Sequence, residues 1–171
     1  MFTEKMKKEE FPKVWEIMEE SFPPDERRPF EEQKALLANP VYSIYVLVDC
    51  NQAQGFVALW KFENLAFVEH FAVAKEHRCK GFGAKLLTDV VSDVNTDVCL
   101  EVEPPCSDIT KRRVEFYRRN GFVLNEFPYI QPPLSAGQQS VPLMIMTYKK
   151  AASKEKFELI RDTLYARVYG V

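Results

Sequence analysis

The 171-residue sequence contains few glycines, only two histidines, no long apolar run and almost no net charge. A formal net charge of −2 provides no sequence-independent attraction to nucleic acid, so we expect no nucleic-acid partner. No apolar stretch approaches the roughly 20 residues that span a bilayer, so we expect no membrane partner either. The opening MFTEKMKKEE lacks the apolar region of a secretory signal peptide, which predicts a cytoplasmic protein.

Cysteine is also scarce and irregularly placed, at positions 50, 79, 99 and 106. No CxxC pair occurs, the cysteine spacing is irregular and only two histidines accompany it, which argues against a structural zinc site. The same irregular spacing argues against a disulfide framework. We therefore expect free thiols, a reducing compartment and no metal site.

The length and ordinary composition predict a single domain, residues 1–171, with a substantial buried core. Apolar residues recur at helical spacing over 9–22, which predicts an amphipathic helix, and a short second helix follows at 30–38. The β-branched and aromatic segments at 41–49, 54–63 and 64–73 predict an antiparallel meander, with its first turn at 50–53.

The second half of the sequence alternates between strand and helix patterns. A helix after Gly83, a strand at 97–103 and a basic helix at 109–120 are predicted, with Gly121 just past the end of that helix. Strands at 122–127 and 143–150 enclose a proline-rich loop, and a terminal helix covers about 153–168. The order predicts a mixed, mostly antiparallel α/β sheet. The terminal helix can pack on its own sheet or on a second copy, so a homodimer stays open.

The most informative segment is RCKGFG, residues 78–83, which precedes a helix. Glycines, basic residues and the amides of a helix N-terminus together form an anion site, usually for phosphate. A P-loop needs GxxxxGK[ST], which is absent. A dinucleotide fingerprint needs a third glycine, but Leu86 stands at that position. The remaining pattern is RxxGxG.

Four motifs together resemble one family. RxxGxGA at 78–84, HFAVAKEHR at 70–78, LEVE at 100–103 and FYRRNGF at 116–122 resemble the GNAT superfamily of acyl-CoA-dependent N-acetyltransferases. The resemblance covers residues 65–124. It implies the GNAT fold, in which a mixed, mostly antiparallel central sheet carries helices on both faces and splays between its fourth and fifth strands.

The resemblance implies acetyl-CoA as co-substrate. Its pantetheine arm would pair with the backbone of the fourth strand, and its pyrophosphate would lie on the amides of the glycine loop, with charge from the basic residues there. The implied cofactor-binding residues are Phe71, Ala72, Val73, Arg78, Cys79, Lys80, Gly81, Phe82, Gly83, Ala84 and Tyr117.

Attack of an amine on a thioester needs a base for the amine proton, an N–H donor for the developing oxyanion and an acid for the departing thiolate. The resemblance places the acid at Tyr117 and an oxyanion donor at the amide of Phe71. The candidates for the base are Glu69 on the fourth strand and Glu101 on the fifth, which have almost equal support, and Glu103 ranks third. Strand alternation turns His70 to the face opposite Glu69, which predicts a structural role for that histidine.

The acceptor is predicted to be a primary amine, from a small molecule or from a peptide or protein. Loops at 22–30 and 128–142, with aromatic and acidic side chains, would bind it. Thr110 stands where many relatives carry a cofactor-contacting asparagine. Two alternatives remain: a non-catalytic acyl-CoA-binding or regulatory module, and a nucleotide-binding switch.

Overall fold

A computed structural model describes all 171 residues, which divide into two compact units, 1–96 and 97–171. Each unit contains part of the β-structure and its own helices. The prediction of a single domain stays a prediction.

The first unit is an antiparallel meander with three helices. Its strands pair in the order β1-β2-β3-β4, each antiparallel to the next. The elements are β1 Phe2–Lys5, α1 Phe11–Ser21, α2 Phe30–Ala35, β2 Tyr42–Asp49, β3 Gln52–Lys61, β4 Leu65–Val73 and α3 Phe82–Asp93. The predicted turn after β2 is confirmed, since Cys50 and Asn51 both have positive φ. Strand β1 was not predicted from the sequence.

Strand β3 is the centre of this unit. Its eight inner residues, 53–60, are all buried, so both faces of the strand are covered. Helices α1 and α3 both contact β3. The apolar stripe of α1 supplies Phe11, Val14, Ile17 and Met18 to the core, as its helical spacing predicted.

The second unit combines three strands and two helices, β5 Asp97–Val102, α4 Asp108–Arg119, β6 Phe122–Gln131, β7 Val141–Tyr148 and α5 Lys154–Leu164. Strand β7 pairs antiparallel with both β5 and β6. Gly121 has φ +88 just past α4, which confirms its predicted left-handed conformation. Strand β6 runs to Gln131, so the prediction of a loop from 128 is wrong. Pro128 is tolerated there because the register of the pair is irregular between Asn125 and Tyr129.

Candidate active site

The glycine loop forms an open N-terminus for helix α3. Gly81 is the N-cap residue with φ +82, a conformation that glycine adopts without strain. No side chain caps the helix, and the amides of Phe82, Gly83 and Ala84 take part in no main-chain hydrogen bond. Unsatisfied amides and the positive end of the helix dipole favour a bound anion. The loop therefore has the donors that a diphosphate requires.

The basic residues of the loop differ in their contacts. Arg78 Nε donates to the Val73 carbonyl at 3.0 Å, and its Nη2 donates to Ser21 Oγ at 3.1 Å. These bonds tie the start of the loop to the end of β4 and to α1. Lys80 is exposed and makes no ion pair, so its ammonium is the charge that an anion can recruit. The ring of Phe82 stacks on His77, with centroids 5.2 Å apart.

Strand β4 contains a bulge at Glu69. His70 pairs with Ala58 and Val68 pairs with Leu59, so Glu69 has no partner in the β3 register. Bulges of this kind re-aim side chains and occur often beside active sites. The residue as a whole is partly exposed, although its side chain is only 2% exposed. The accessible surface of Glu69 is therefore mostly main chain.

The Glu69 carboxylate is part of a buried ion pair. Arg28, from the loop between α1 and α2, places Nη1 2.7 Å from Glu69 Oε1, and its own side chain is 7% exposed. Burial alone raises the pKa of Glu69, but the charge of Arg28 and the neighbouring His70 outweigh it and lower the pKa to about 2. Such a carboxylate holds a proton poorly, so these properties favour an anchoring role over a general base.

The expectation that His70 points away from Glu69 is wrong. His70 Nδ1 lies 3.4 Å from Glu69 Oε2, because the bulge breaks the strict alternation of β4. The other ring nitrogen, Nε2, donates to the Glu26 carbonyl at 2.9 Å, and Phe22 packs edge-on against the ring. The predicted structural role fits these contacts, since His70 and Arg28 both hold the loop after α1 against β4.

Tyr117 lies on α4 and is 8% exposed. Its ring contacts Phe116 and Phe122, with centroids 5.4 and 5.9 Å away. Burial raises the pKa of Tyr117 to about 12, so the phenol keeps its proton at neutral pH. A thiol has a reference pKa of about 8.5. A phenol with the higher pKa therefore stabilises a thiolate chiefly by donating a hydrogen bond to it.

Glu101 on β5 accepts hydrogen bonds from two tyrosines. Tyr129 on β6 donates its hydroxyl to Oε1. The Tyr169 hydroxyl lies 2.8 Å from Oε1 and 2.7 Å from Oε2. The residue is partly exposed, as is Glu69. Of the two leading candidates for the base, Glu101 accepts hydrogen bonds from phenols, whereas Glu69 is paired with the guanidinium of Arg28.

The remaining candidates have other contacts. Glu103 forms an ion pair with Arg113 on α4. Thr110 belongs to the cap of α4, where its hydroxyl accepts from the Ser107 amide at 3.0 Å and its amide donates to Ser107 Oγ at 3.2 Å.

All four cysteines are free thiols, as predicted. The chain contains no group of three histidines, cysteines or acidic residues suited to a metal. None of its helices combines the length and the apolar character needed to cross a bilayer.

Reasoning from sequence missed Arg28, Tyr129 and Tyr169 as partners of the two glutamates. Arg28 is 41 residues from Glu69 in sequence, and Tyr169 is 68 residues from Glu101. Nothing in DERRPF distinguishes Arg28 from Arg27. The only local signal for Tyr169 is its spacing of four from Tyr165 at the end of the terminal helix.

Comparisons with known proteins agree on one family. Residues 40–124 match the family model described as an acetyltransferase (GNAT) domain. A solved structure described as a GNAT-family acetyltransferase from Bacteroides thetaiotaomicron is 30% identical, with 100% of this chain and 99% of that chain covered and a TM-score of 0.92. No curated protein matches the sequence significantly.

More distant structures share the fold. The ribosomal-protein-S18-alanine N-acetyltransferase of Escherichia coli is 16% identical, covers 90% of this chain and 96% of its own, and has a TM-score of 0.68. A chimeric spermidine N-acetyltransferase from Vibrio cholerae is 17% identical, covers 86% and 95%, and has a TM-score of 0.66. These likenesses confirm the predicted fold class, the GNAT fold with its mixed, mostly antiparallel sheet and helices. The chain belongs to the GNAT superfamily of acetyltransferases.

Proposed function

We propose that the protein is an N-acetyltransferase that moves an acetyl group from acetyl-CoA to a primary amine by direct attack in a ternary complex. The observation that carries this proposal is the uncapped N-terminus of α3, with Gly81 in a left-handed conformation and Lys80 exposed beside it. This arrangement suits the diphosphate of coenzyme A. The similar structures named for acetylating spermidine and a ribosomal alanine support an amine as the acceptor.

In this proposal the cofactor is held by two parts of the chain. The amides of Cys79 through Ala84 and the ammonium of Lys80 bind the diphosphate. The main chain of Phe71, Ala72 and Val73 on β4 pairs with the amides of the pantetheine arm. Arg78 supports the loop through Val73 and adds positive charge.

The chemistry divides among three groups. The amine nitrogen forms a bond to the thioester carbon, and Glu101 accepts the proton that the amine loses, directly or through water. The amide of Phe71 donates to the carbonyl oxygen as negative charge develops on it. The C–S bond then breaks, and Tyr117 donates its hydrogen bond to the departing thiolate. Glu69 anchors the acceptor loop through Arg28 rather than serving as the base.

Two measurements on the purified protein test the proposal. Calorimetry with acetyl-CoA alone should show saturable binding, and a thiol assay with a panel of primary amines should show CoA release that depends on both substrates. Binding without release for any amine would indicate the non-catalytic acyl-CoA module. Binding of ATP or NAD without binding of acetyl-CoA would refute the family function for this chain.

A further inference from the structure

The C-terminal turn contributes a tyrosine to the Glu101 carboxylate. Helix α5 ends at Leu164 and continues as a single π-helical turn, Tyr165–Tyr169, closed by Gly170 with φ +72. Turns of this type are rare and occur often at functional sites, because they rotate the side chains that follow relative to a regular α-helix. Here the widened turn ends at the tyrosine whose hydroxyl reaches Glu101.

Three phenol–carboxylate contacts converge on Glu101. The Tyr169 hydroxyl is within 2.8 Å of both carboxylate oxygens, so its single proton is shared between them, and Tyr129 donates to Oε1. These contacts engage both carboxylate oxygens and fix the rotamer of Glu101. A carboxylate whose orientation is fixed suits a group that must receive a proton from an amine.

Tyr129 is held as a donor in this cluster. It is 4% exposed, and burial together with the neighbouring Glu101 raises the pKa of its phenol well above the usual range. The phenol therefore keeps its proton at any physiological pH and donates rather than accepts. Tyr129 therefore contributes a fixed donor to one oxygen of the Glu101 carboxylate.

The same turn has a second attachment with no carboxylate in it. The Tyr165 hydroxyl donates to the Ile130 carbonyl at 2.5 Å, and the Val171 amide donates to the Tyr165 carbonyl at 3.0 Å. The turn is thus fastened independently of Glu101. If Tyr169 served only to fasten the C-terminus, its loss and the loss of the Tyr165 hydroxyl would have the same consequences.

We propose that Tyr169, with Tyr129, is a positioning residue that holds the Glu101 carboxylate for the amine of the acceptor. The inference rests on the proposed function, in which Glu101 is the base. It makes the C-terminal turn part of the catalytic apparatus and not only a structural end. Loss of the Tyr169 hydroxyl should then lower activity through the orientation of Glu101.

The test is a kinetic double-mutant cycle of Tyr169→Phe and Glu101→Gln, with Tyr165→Phe as the matched control. Tyr169→Phe should lower kcat about 10-fold, as expected for one hydrogen bond to a charged group, and leave the KM for acetyl-CoA within about twofold. Its acidic limb in the kcat profile should move to higher pH, since the ionised carboxylate loses a donor. In the Glu101→Gln background the same change should alter kcat less than about twofold.

Different outcomes separate the inference from the proposed function. Wild-type kcat in Tyr169→Phe, equal losses in both backgrounds, or an equal loss and pH shift in Tyr165→Phe would overturn the positioning role. A wild-type protein that binds no acetyl-CoA and acetylates no amine would overturn the proposed function and the role that rests on it. Urea denaturation of the same variants would still show whether Tyr169 and Glu101 are energetically coupled, and absence of coupling refutes the contact itself.

Discussion

Removing Arg28 should leave a buried carboxylate without its cation. The pKa of Glu69 is about 2, against 4.5 for an unperturbed glutamate. At about 1.4 kcal/mol for each pH unit, the environment of Glu69 contributes roughly 3 kcal/mol of stability at neutral pH. The change Arg28→Met removes the main favourable charge, and breaking one side of a buried ion pair typically costs about 3–5 kcal/mol. We therefore expect a loss of about 3 kcal/mol in the free energy of unfolding at pH 7.

The pH dependence of this loss has a definite sign. A carboxyl whose pKa is lower in the folded state stabilises the protein fully above 4.5, and this stability disappears as the pH falls toward 2. In Arg28→Met, burial without the cation raises the pKa of Glu69, so the variant regains stability as Glu69 takes up a proton above pH 4.5. The wild type loses stability between pH 4.5 and 2, so the difference between wild type and variant should shrink from above pH 4.5 down to about 2.

Urea denaturation at a series of pH values measures this prediction. The neighbouring Arg27 is a matched control, because it lies 4.8 Å over the Trp15 ring and pairs with the half-exposed Glu19. Arg27→Met should cost no more than about 1 kcal/mol, with little pH dependence below 4.5. The double variant Arg28→Met/Glu69→Gln should recover much of the stability. A cost below about 1 kcal/mol for Arg28→Met, or no recovery in the double variant, would refute the buried pair.

Three further changes test the proposed site. Lys80→Ala should weaken acetyl-CoA binding about 5- to 10-fold in calorimetry, and this loss should be smaller at high salt. The same change at the exposed Lys61 should leave acetyl-CoA binding unchanged. Gly81→Ala and Gly137→Ala should each cost about 1 kcal/mol in denaturation, because both have positive φ and open space for a methyl group. Only Gly81→Ala should also weaken acetyl-CoA binding. Equal losses of binding in the two variants would contradict the proposed diphosphate site at the glycine loop. Tyr117→Phe should lower kcat about 10- to 100-fold with an unchanged acetyl-CoA KM, and an unaffected kcat would remove Tyr117 from the mechanism.

Most of the secondary structure could be predicted from the sequence, because it depends on local patterns. The α1 stripe, the turn at Cys50 and Asn51 and the glycine that ends α4 are each encoded within a few residues. The errors lie where the neighbouring strand decides whether a segment forms a strand and how far that strand extends. Strand β1 is short and exists through its pairing with β2, and β6 continues past Pro128 because β7 lies beside it. Neither partner can be located from a local window.

The candidate site also has parts that depend on local sequence and parts that depend on contacts between distant residues. The form of the glycine loop was predictable because its parts, a left-handed glycine, free amides and a basic residue, are consecutive in the chain. The environments of the glutamates were not predictable. A bulge at Glu69 breaks the alternation on which the assignment of His70 depended, and one extra residue in a strand leaves no clear trace in the hydrophobic pattern.

The sequence by itself therefore determined the family and the glycine loop that begins α3, since the motifs that mark them are short and their physics is local. Only the tertiary structure decided which carboxylate is neutralised and which is held by phenols. Arg28 reaches Glu69, and Tyr169 reaches Glu101, across 41 and 68 residues of chain. A carboxylate takes its charge state and accessibility from the groups packed around it, and folding alone chooses those groups.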